Sequence, residues 1–420
     1  MPSGLFYART LAGRAVAHHY PPMLNPRLES LPDYPFDRLR ALLDGLSPPP
    51  GLEPRVLSVG EPRHAPPPII DAAVTAEAGN WGRYPLVEGT PAFRTAVAGW
   101  LTRRYGLPDG MIDADRNVLP VSGTREALFL AALLTVPGRT HYQRPAVLMP
   151  NPFYPAYAGG AMLAGAEAIY LPATRETGFL PDLSAVDDET LAQTALVYLC
   201  SPANPQGAVA SADDIGQAIA LALAQQHGFV LAVDECCTEI YGNQPPAGAL
   251  QACAATGGDC TNVLVFHSLS KRSSAPGLRS GFVAGDAELI AGFRRLRSYG
   301  GATLPFPVLA ASAALWSDDV HVEANRALYR EKFDAAERIL SGRLGFYRPD
   351  GGFFLWLDVG DGEAATRALW TEAAVRVLPG TYLGQVGADG LNPGTGFIRI
   401  ALVDDLRATE DALDRLVKVL

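Results

Sequence analysis

The stretch FHSLSKRSSAPGLRSGF, residues 266–282, carries Ser268, Ser270, Lys271 and Arg279 within a short span. Lysine is scarce in this chain: Lys271, Lys332 and Lys418 are the only three among 34 lysines and arginines. Arginine serves almost everywhere a positive charge is placed, so a lysine at 271 points to work that a guanidinium cannot do. A guanidinium stays protonated and is a poor nucleophile, whereas a tuned lysine amine can lose its proton and form a Schiff base with a carbonyl. Three further residues complete the set: Asn204 in SPANP, Asp234 in VDE and Arg399 in FIRIAL. Taken singly, each has a commoner role, as a turn residue, a strand cap or a surface arginine. Their order and spacing along the chain give them a joint meaning.

The elements around them support that meaning. Thr90 and Pro91 read as an N-cap and first-turn pair, followed by Phe93, Val97, Trp100 and Leu101 at helical spacing. Short apolar runs follow, at 146–150, 195–200, 229–234, 262–268 and 281–285, most of them separated by helical stretches. This alternation predicts an α/β domain around a mainly parallel sheet, with chemistry gathered beyond the C-terminal ends of the strands. Three of the runs end at or just before Asn204, Asp234 and Lys271, so an amide, a carboxylate and an amine are expected along one sheet edge. VSGTREALFLAALLTV, residues 121–136, reads as a helix opened by Gly123 and Thr124. Beyond residue 312 the runs 351–359, 375–380 and 397–403 read as strands, and about 404–420 as an amphipathic helix. Proline-rich stretches at 47–51 and 65–68 read as loops.

Bulk properties narrow the classes. A chain of 420 residues suits two domains, and 48% hydrophobic with 19% charged residues describes a globular protein. The net charge of −10 argues against nucleic acid or an anionic membrane as partner. No apolar run approaches the roughly 20 residues a spanning helix needs. The five cysteines form no CxxC pair, so neither a metal site nor a disulfide framework is expected, and a reducing cytoplasm fits. Residues 1–22 read as an extension ahead of a start at Met23.

The residue types match what pyridoxal 5'-phosphate demands of a protein: an amine for its aldehyde, an anion at its pyridine nitrogen, donors for its phosphate and a clamp for a substrate carboxylate. Lys271 offers the amine and Asp234 the anion, and Asn204 would hold the ring hydroxyl. Ser268, Ser270, Arg279 and the helix start at Gly123–Thr124 suit the phosphate. Tyr154 in NPFYPAY would stack on the ring, and Arg399 would grip a carboxylate in a fork.

From about Met23 to the C-terminus, the series SPANP, VDE, SLSKRSSAPGLRSGF and FIRIAL resembles the fold type I, class I and II aminotransferases. The resemblance implies a large cofactor-binding domain over 71–311 and a smaller α+β domain from 23–70 and 312–420. It implies Lys271 as Schiff-base lysine and proton shuttle, and Thr124, Arg125, Ser268, Ser270 and Arg279 around the phosphate. Gly60, in SVGEP, would offer a backbone contact to substrate. Tyr84, in GRYPLVEGTPAFR, would reach the phosphate of a neighbouring subunit, so a homodimer with shared active sites is implied. Within the family, NPRLESLPDYPFDRLRALL and SLSKRSSAPGLRSGFVAGD are similar to succinyldiaminopimelate transaminases of lysine synthesis, which implies N-succinyl-L,L-diaminopimelate and 2-oxoglutarate as substrates. The rival readings are a broad aspartate, alanine or methionine aminotransferase, a C–S lyase on the same cofactor, and a cofactor-binding regulator.

The sequence departs from the family at one place. DECC carries Cys237 where the family places a tyrosine that also bonds the ring oxygen. A thiol is shorter and a weaker donor, which leaves Asn204 as the main partner of that oxygen. Tyr241 is expected to pack rather than compensate. Arg125 and Arg272 are candidates for a distal substrate carboxylate, with structural roles as the alternative.

Overall fold

The apolar runs form the strands of three sheets in the computed structural model, which describes residues 24–138, 144–223, 228–258, 260–387 and 390–420. The expected extension at 1–22 lies outside the described residues. In chain order the strands are β1 (Arg55–Val56), β2 (Val118–Val121), β3 (Ala146–Asn151), β4 (Glu167–Pro172), β5 (Thr194–Cys200) and β6 (Val230–Asp234). They continue with β7 (Val263–Ser268), β8 (Gly281–Gly285), β9 (Phe354–Asp358), β10 (Val375–Arg376), β11 (Leu378–Pro379) and β12 (Phe397–Ala401).

Seven strands make the central sheet in the order β2-β8-β7-β6-β5-β3-β4. Strands β3 to β7 run parallel, and only β8 is antiparallel to its neighbours. Both faces are covered. Leu231 and Val233 of β6 enter one buried cluster, while Val230 and Ala232 enter the other, as the two-residue period of a strand requires. This is the expected α/β architecture. Two sheet strands, β2 and β4, were not anticipated: β2 is four residues around Pro120, and β4 begins at Glu167 with only Leu171 buried. Neither offers the long apolar run that marked the others.

The helix Pro91–Tyr105 starts where the cap predicts. Thr90 accepts from the Phe93 N–H at 3.2 Å, and Gly106 ends the helix at φ 60°. Phe93, Val97, Trp100 and Leu101 are all buried. The helix read at 121–136 spans Thr124–Thr135, because Val121 still belongs to β2.

The C-terminal strands are shorter than their apolar runs. Gly352, at φ 77°, keeps the strand read at 351–359 from starting before Phe354. The run at 375–380 splits in two. Its first half, β10, pairs in parallel with β1, and its second, β11, pairs with β12. Strands β11, β12 and β9 form an antiparallel sheet. The closing helix, Leu406–Val419, buries Thr409, Ala412, Leu413 and Leu416 along one stripe. The helix Val320–Leu340 runs from the central sheet's side of the molecule to this C-terminal core: Asn325 reaches the Lys271 carbonyl, and Ala336 and Leu340 pack with Leu355 and Leu413.

Candidate active site

Adjacent parallel strands β5, β6 and β7 end together, with Cys200 in register with Asp234 and Asp234 with Phe266. Ser268 closes β7 and caps the short helix Leu269–Arg272, its hydroxyl accepting from the Ser270 N–H at 3.1 Å. That turn aims Lys271 across the strand ends. Its Nζ donates to the Gly60 carbonyl and sits 4.9 Å from the centre of the Phe353 ring. Burial lowers the Lys271 pKa and moves it toward the free amine that attacks a carbonyl.

Asp234 is 8% exposed. Its Oδ2 accepts from the Tyr157 hydroxyl at 2.7 Å and its Oδ1 from the Cys236 N–H at 3.1 Å. Arg399, on β12, enters from the other side. Its Nη2 donates to the Ser58 carbonyl at 2.8 Å and its Nη1 to Asn204 Oδ1 at 3.1 Å, and the guanidinium lies 4.4 Å from the Phe354 ring centre. Burial pushes Arg399 down to about 10, so it is still a cation at neutral pH. Its Nε is buried and has no protein partner among the described residues. Gly60 is close-packed on Phe354; a Cβ there would meet the ring at 2.7 Å.

One cavity takes in Lys271, Asp234, Asn204 and Arg399, together with Gly60 and Tyr154. A second opens beside it. Ser268, Ser270 and Arg279 line it, and it shares Thr124, Arg125 and Lys271 with the first. The helix Thr124–Thr135 points its N-terminus at this junction, with Gly123 as N-cap at φ 88° and no side-chain cap. Its free N–H groups suit an anion. Gly123 also lets the Arg279 guanidinium pack close: a Cβ would fall 2.1 Å from Arg279 Nη2 and displace it. Arg125 Nε donates to the Tyr154 hydroxyl at 2.7 Å and holds that ring at the cavity wall.

Tyr84 is not part of this cluster in its own chain; its side chain is fully exposed. Arg272 is withdrawn from the candidates for a distal carboxylate. It is 1% exposed, donates to the Leu315 carbonyl at 2.6 Å and to Asp319 at 2.6 Å, and packs against the paired rings of Trp100 and Trp316. Tyr241 packs under Arg326, 3.9 Å from ring centre to guanidinium. Cys237 lines the cavity with Cys236. Burial pushes the Cys237 thiol up to about 12 and the Cys236 thiol well above its ordinary value, so both are neutral. Cys236 Sγ donates to Thr124 Oγ1 at 3.0 Å.

Sequence reasoning passed over Tyr157 and Tyr34. Tyr157 lies three residues past Tyr154 on the helix Pro155–Ala164, and that spacing signals a shared face. Tyr34 stands at the cavity wall just before the helix Pro35–Leu42, and no local pattern distinguishes it.

Residues 55–418 match the family model described as aminotransferase class I and II. The chain belongs to the class I and II aminotransferases. It is 34% identical over 371 residues to the 4-dedimethylamino-4-oxo-anhydrotetracycline transaminase of Streptomyces rimosus, covering 86% of this chain and 94% of that one. It is 31% identical to the LL-diaminopimelate aminotransferase of Syntrophobacter fumaroxidans, covering 94% and 98%. Among solved structures, an aminotransferase from Neisseria meningitidis Z2491 superposes with a TM-score of 0.89 at 42% identity, covering 94% of this chain and 99% of that one. This aminotransferase family depends on pyridoxal phosphate. The residues present fit that group. The Arg279 guanidinium packs on Gly123 where a Cβ would stand, and Thr124 at the open helix start lines one cavity with Ser268, Ser270 and Arg279, a donor set suited to the phosphate. Among the described residues, no helix of this aminotransferase is long and apolar enough to cross a membrane.

Proposed function

We propose that the chain exchanges an amino group between N-succinyl-L,L-diaminopimelate and the 2-oxoglutarate/glutamate pair, in the diaminopimelate route to lysine. The observation that carries the transaminase reading is one cavity holding the Lys271 amine, the Asp234 carboxylate and the Arg399 guanidinium together.

When bound, pyridoxal phosphate supplies an aldehyde for amine capture and a ring that withdraws electrons from the substrate α-carbon. Asp234 would hold the pyridine N–H, with Tyr157 and the Cys236 N–H fixing the carboxylate's orientation. Asn204 would hold the ring hydroxyl and Tyr154 the ring face. Gly123, Thr124, Arg125, Ser268, Ser270 and Arg279 would hold the phosphate. Arg399 grips the substrate α-carboxylate and fixes the α-carbon near Lys271. Lys271 Nζ takes the α-proton there, carries it and releases it, and the Gly60 carbonyl orients the amine between these events. Tyr84, exposed in one chain, would reach the phosphate of a second copy, which gives a homodimer with shared sites.

Two features support a long, doubly anionic substrate. The stretches 25–43 and 268–286 are similar to succinyldiaminopimelate transaminases. A further cavity also opens off the first past Tyr34 and Tyr154 and brings Arg38 and Arg125 to its wall. The relative named LL-diaminopimelate aminotransferase favours a second reading, in which the unsuccinylated diamine is the donor. We also read residues 71–311 as the cofactor-binding domain, residues 23–70 with 312–420 as the smaller one, and the cytoplasm as the site of action.

The test is the visible spectrum of the purified protein before and after L-glutamate, followed by a donor panel. A yellow band that bleaches with glutamate and returns with 2-oxoglutarate supports transamination. Faster bleaching by N-succinyl-L,L-diaminopimelate than by LL-diaminopimelate, aspartate, alanine or methionine supports the substrate. Release of pyruvate and ammonia from a cysteine conjugate would replace the reading with a lyase. Absence of any band after incubation with pyridoxal phosphate would overturn it.

A further inference from the structure

Lys332, the second of the three lysines, is 1% exposed and takes no part in the reaction described above. Its Nζ meets three acceptors: the carbonyls of Leu402 and Asp404, both at 2.8 Å, and His64 Nε2 at 2.7 Å. His64 Nδ1 in turn lies 2.7 Å from Asn325 Oδ1. Asn325 and Lys332 stand two turns apart on the helix Val320–Leu340, and the His64 ring spans the gap between them.

Hydrogen-bond logic fixes every proton in this chain. Asn325 Nδ2 lies 3.1 Å from the Lys271 carbonyl and 3.3 Å from the Arg272 carbonyl, and carbonyls only accept. Asn325 Oδ1 is therefore the acceptor end, and it also takes the Ser274 hydroxyl at 2.9 Å. His64 must then carry its proton on Nδ1, which leaves Nε2 to accept from the Lys332 ammonium.

The links close a ring through the reactive lysine. Lys271 Nζ donates to the Gly60 carbonyl, and the Lys271 carbonyl is held by Asn325. Asn325 is held by His64, and His64 is four residues along the chain from Gly60. The intervening segment has few holds of its own. Leu57 is tied at its start by the Arg376 carbonyl and the Ala401 N–H. From there to His64, the ties among the described residues besides Lys271 and Asn325 are the Arg399 bond to Ser58, a local bond from the Glu61 N–H to the Val59 carbonyl, the Arg63 Nη2 bond to the Val56 carbonyl at 3.2 Å and the Arg63–Asp404 ion pair.

We propose that His64 is a positioning residue: by pinning residues 58–64 to Asn325 and Lys332, it holds the Gly60 carbonyl against the Lys271 amine and thereby sets how tightly Lys271 keeps its proton. This rests on the reading of Lys271 as the reactive amine. Burial lowers the Lys271 pKa, and the charged and titratable groups that face it are Cys237, Cys236, Arg399 and Glu61, of which Arg399 lowers it further. A carbonyl partner favours the ammonium form, so releasing Gly60 leaves burial and Arg399 less opposed and makes Lys271 a freer amine. The charged and titratable groups facing His64 are Lys332 and Tyr329 from the long helix and, past Lys332, Asp404. Burial keeps His64 below its ordinary pKa, consistent with a neutral ring.

Competitive acetylation of the full chain without cofactor tests this directly, with each lysine read separately by peptide mass spectrometry. Exposed Lys418 is the internal standard. His64→Phe keeps a ring against Tyr329, whose centre is 4.7 Å away, but loses both polar contacts. His64→Gln restores one donor and one acceptor. The expected result is that His64→Phe raises Lys271 labelling relative to Lys418 at least about threefold near pH 7, a half-unit fall in pKa, and that His64→Gln returns it toward wild type. Unchanged Lys271 labelling across pH in folded His64→Phe, with folding checked by its melting curve, overturns the proposal and leaves His64 as packing. Equal elevation in both variants also overturns it. If His64→Phe does not fold, Asn325→Leu is the second arm: it removes both the Oδ1 acceptor of His64 and the Nδ2 donor to the Lys271 carbonyl without adding a charge, and unchanged labelling there is equally fatal. Because the readout needs neither cofactor nor turnover, its failure is distinct from failure of the transaminase reading, which the visible spectrum decides.

Discussion

The Tyr157 hydroxyl donates a 2.7 Å hydrogen bond to Asp234 Oδ2, joining residues 77 positions apart in the chain. Both groups are buried, and Tyr157 stacks on Tyr198 with ring centres 4.4 Å apart, so the donor has no freedom to turn away. Tyr157→Phe removes one donor from the carboxylate without changing the ring. A hydrogen bond to a charged group is worth about 1.5–3 kcal/mol, so cofactor affinity or kcat should fall roughly 10- to 100-fold. Cofactor titration followed by steady-state kinetics checks this, and wild-type values in both would remove Tyr157 from the site.

Arg399 uses two nitrogens on Ser58 and Asn204 and keeps an unpaired Nε. A lysine there has one ammonium and no fork. Arg399→Lys should cut kcat/KM for every α-amino acid donor by roughly 10- to 100-fold, mainly through KM, a loss of about 1.5–3 kcal/mol. The cofactor's visible band should persist. An unaltered KM would mean that Arg399 does not touch the α-carboxylate.

Gly123→Ala places a methyl against the Arg279 guanidinium at a backbone φ of 88°. The strain alone costs of order 1–3 kcal/mol, and Arg279 must move as well. Pyridoxal phosphate should bind at least about tenfold more weakly, read by equilibrium titration, while the melting temperature of the cofactor-free protein falls only by the backbone strain. Equal cofactor affinity would separate the packing of Arg279 on Gly123 from phosphate binding.

Cys237 faces the cavity as a thiol that burial pushes up to about 12. At pH 7 the thiolate fraction is of order one in 10⁵. Iodoacetamide should therefore leave Cys237 unmodified at pH 7, with a rate rising about tenfold per pH unit through pH 10, where an ordinary cysteine has already levelled off. Rapid alkylation at neutral pH, mapped by mass spectrometry, would contradict the buried environment.

Asn204, Asp234 and Lys271 were legible because each ends or follows a buried apolar strand, and parallel strands must end at one edge. The reversal of β8 was not legible, because GFVAG carries no mark of direction and the path of residues 269–280, through the helix Leu269–Arg272 and the turn Pro276–Leu278, emerges only in three dimensions. Tyr157 was missed although its spacing from Tyr154 was visible, since only the fold shows that the Pro155–Ala164 helix passes the end of β6. The break in the run at 375–380 reflects competition between two partners, β1 and β12, which no local pattern records. His64 and Lys332 read as isolated residues in the sequence; their connection depends on a helix that meets two distant segments at once.

The pairing of β1 with β10 sets an order of assembly during synthesis. The Ser58 carbonyl is met by Arg399, which is translated 341 residues later, and Leu57 is anchored by Arg376 and Ala401. A nascent chain on the ribosome can complete the central sheet and present Lys271 long before these late residues emerge. The segment bearing Gly60 can meet Lys271, Asn325 and Lys332 earlier, but its anchors at Leu57 and Ser58 form only after Arg376, Arg399 and Ala401 have emerged. A chain cut short between β8 and β12 would carry Lys271 without Arg399 and Ala401, which anchor the segment facing it.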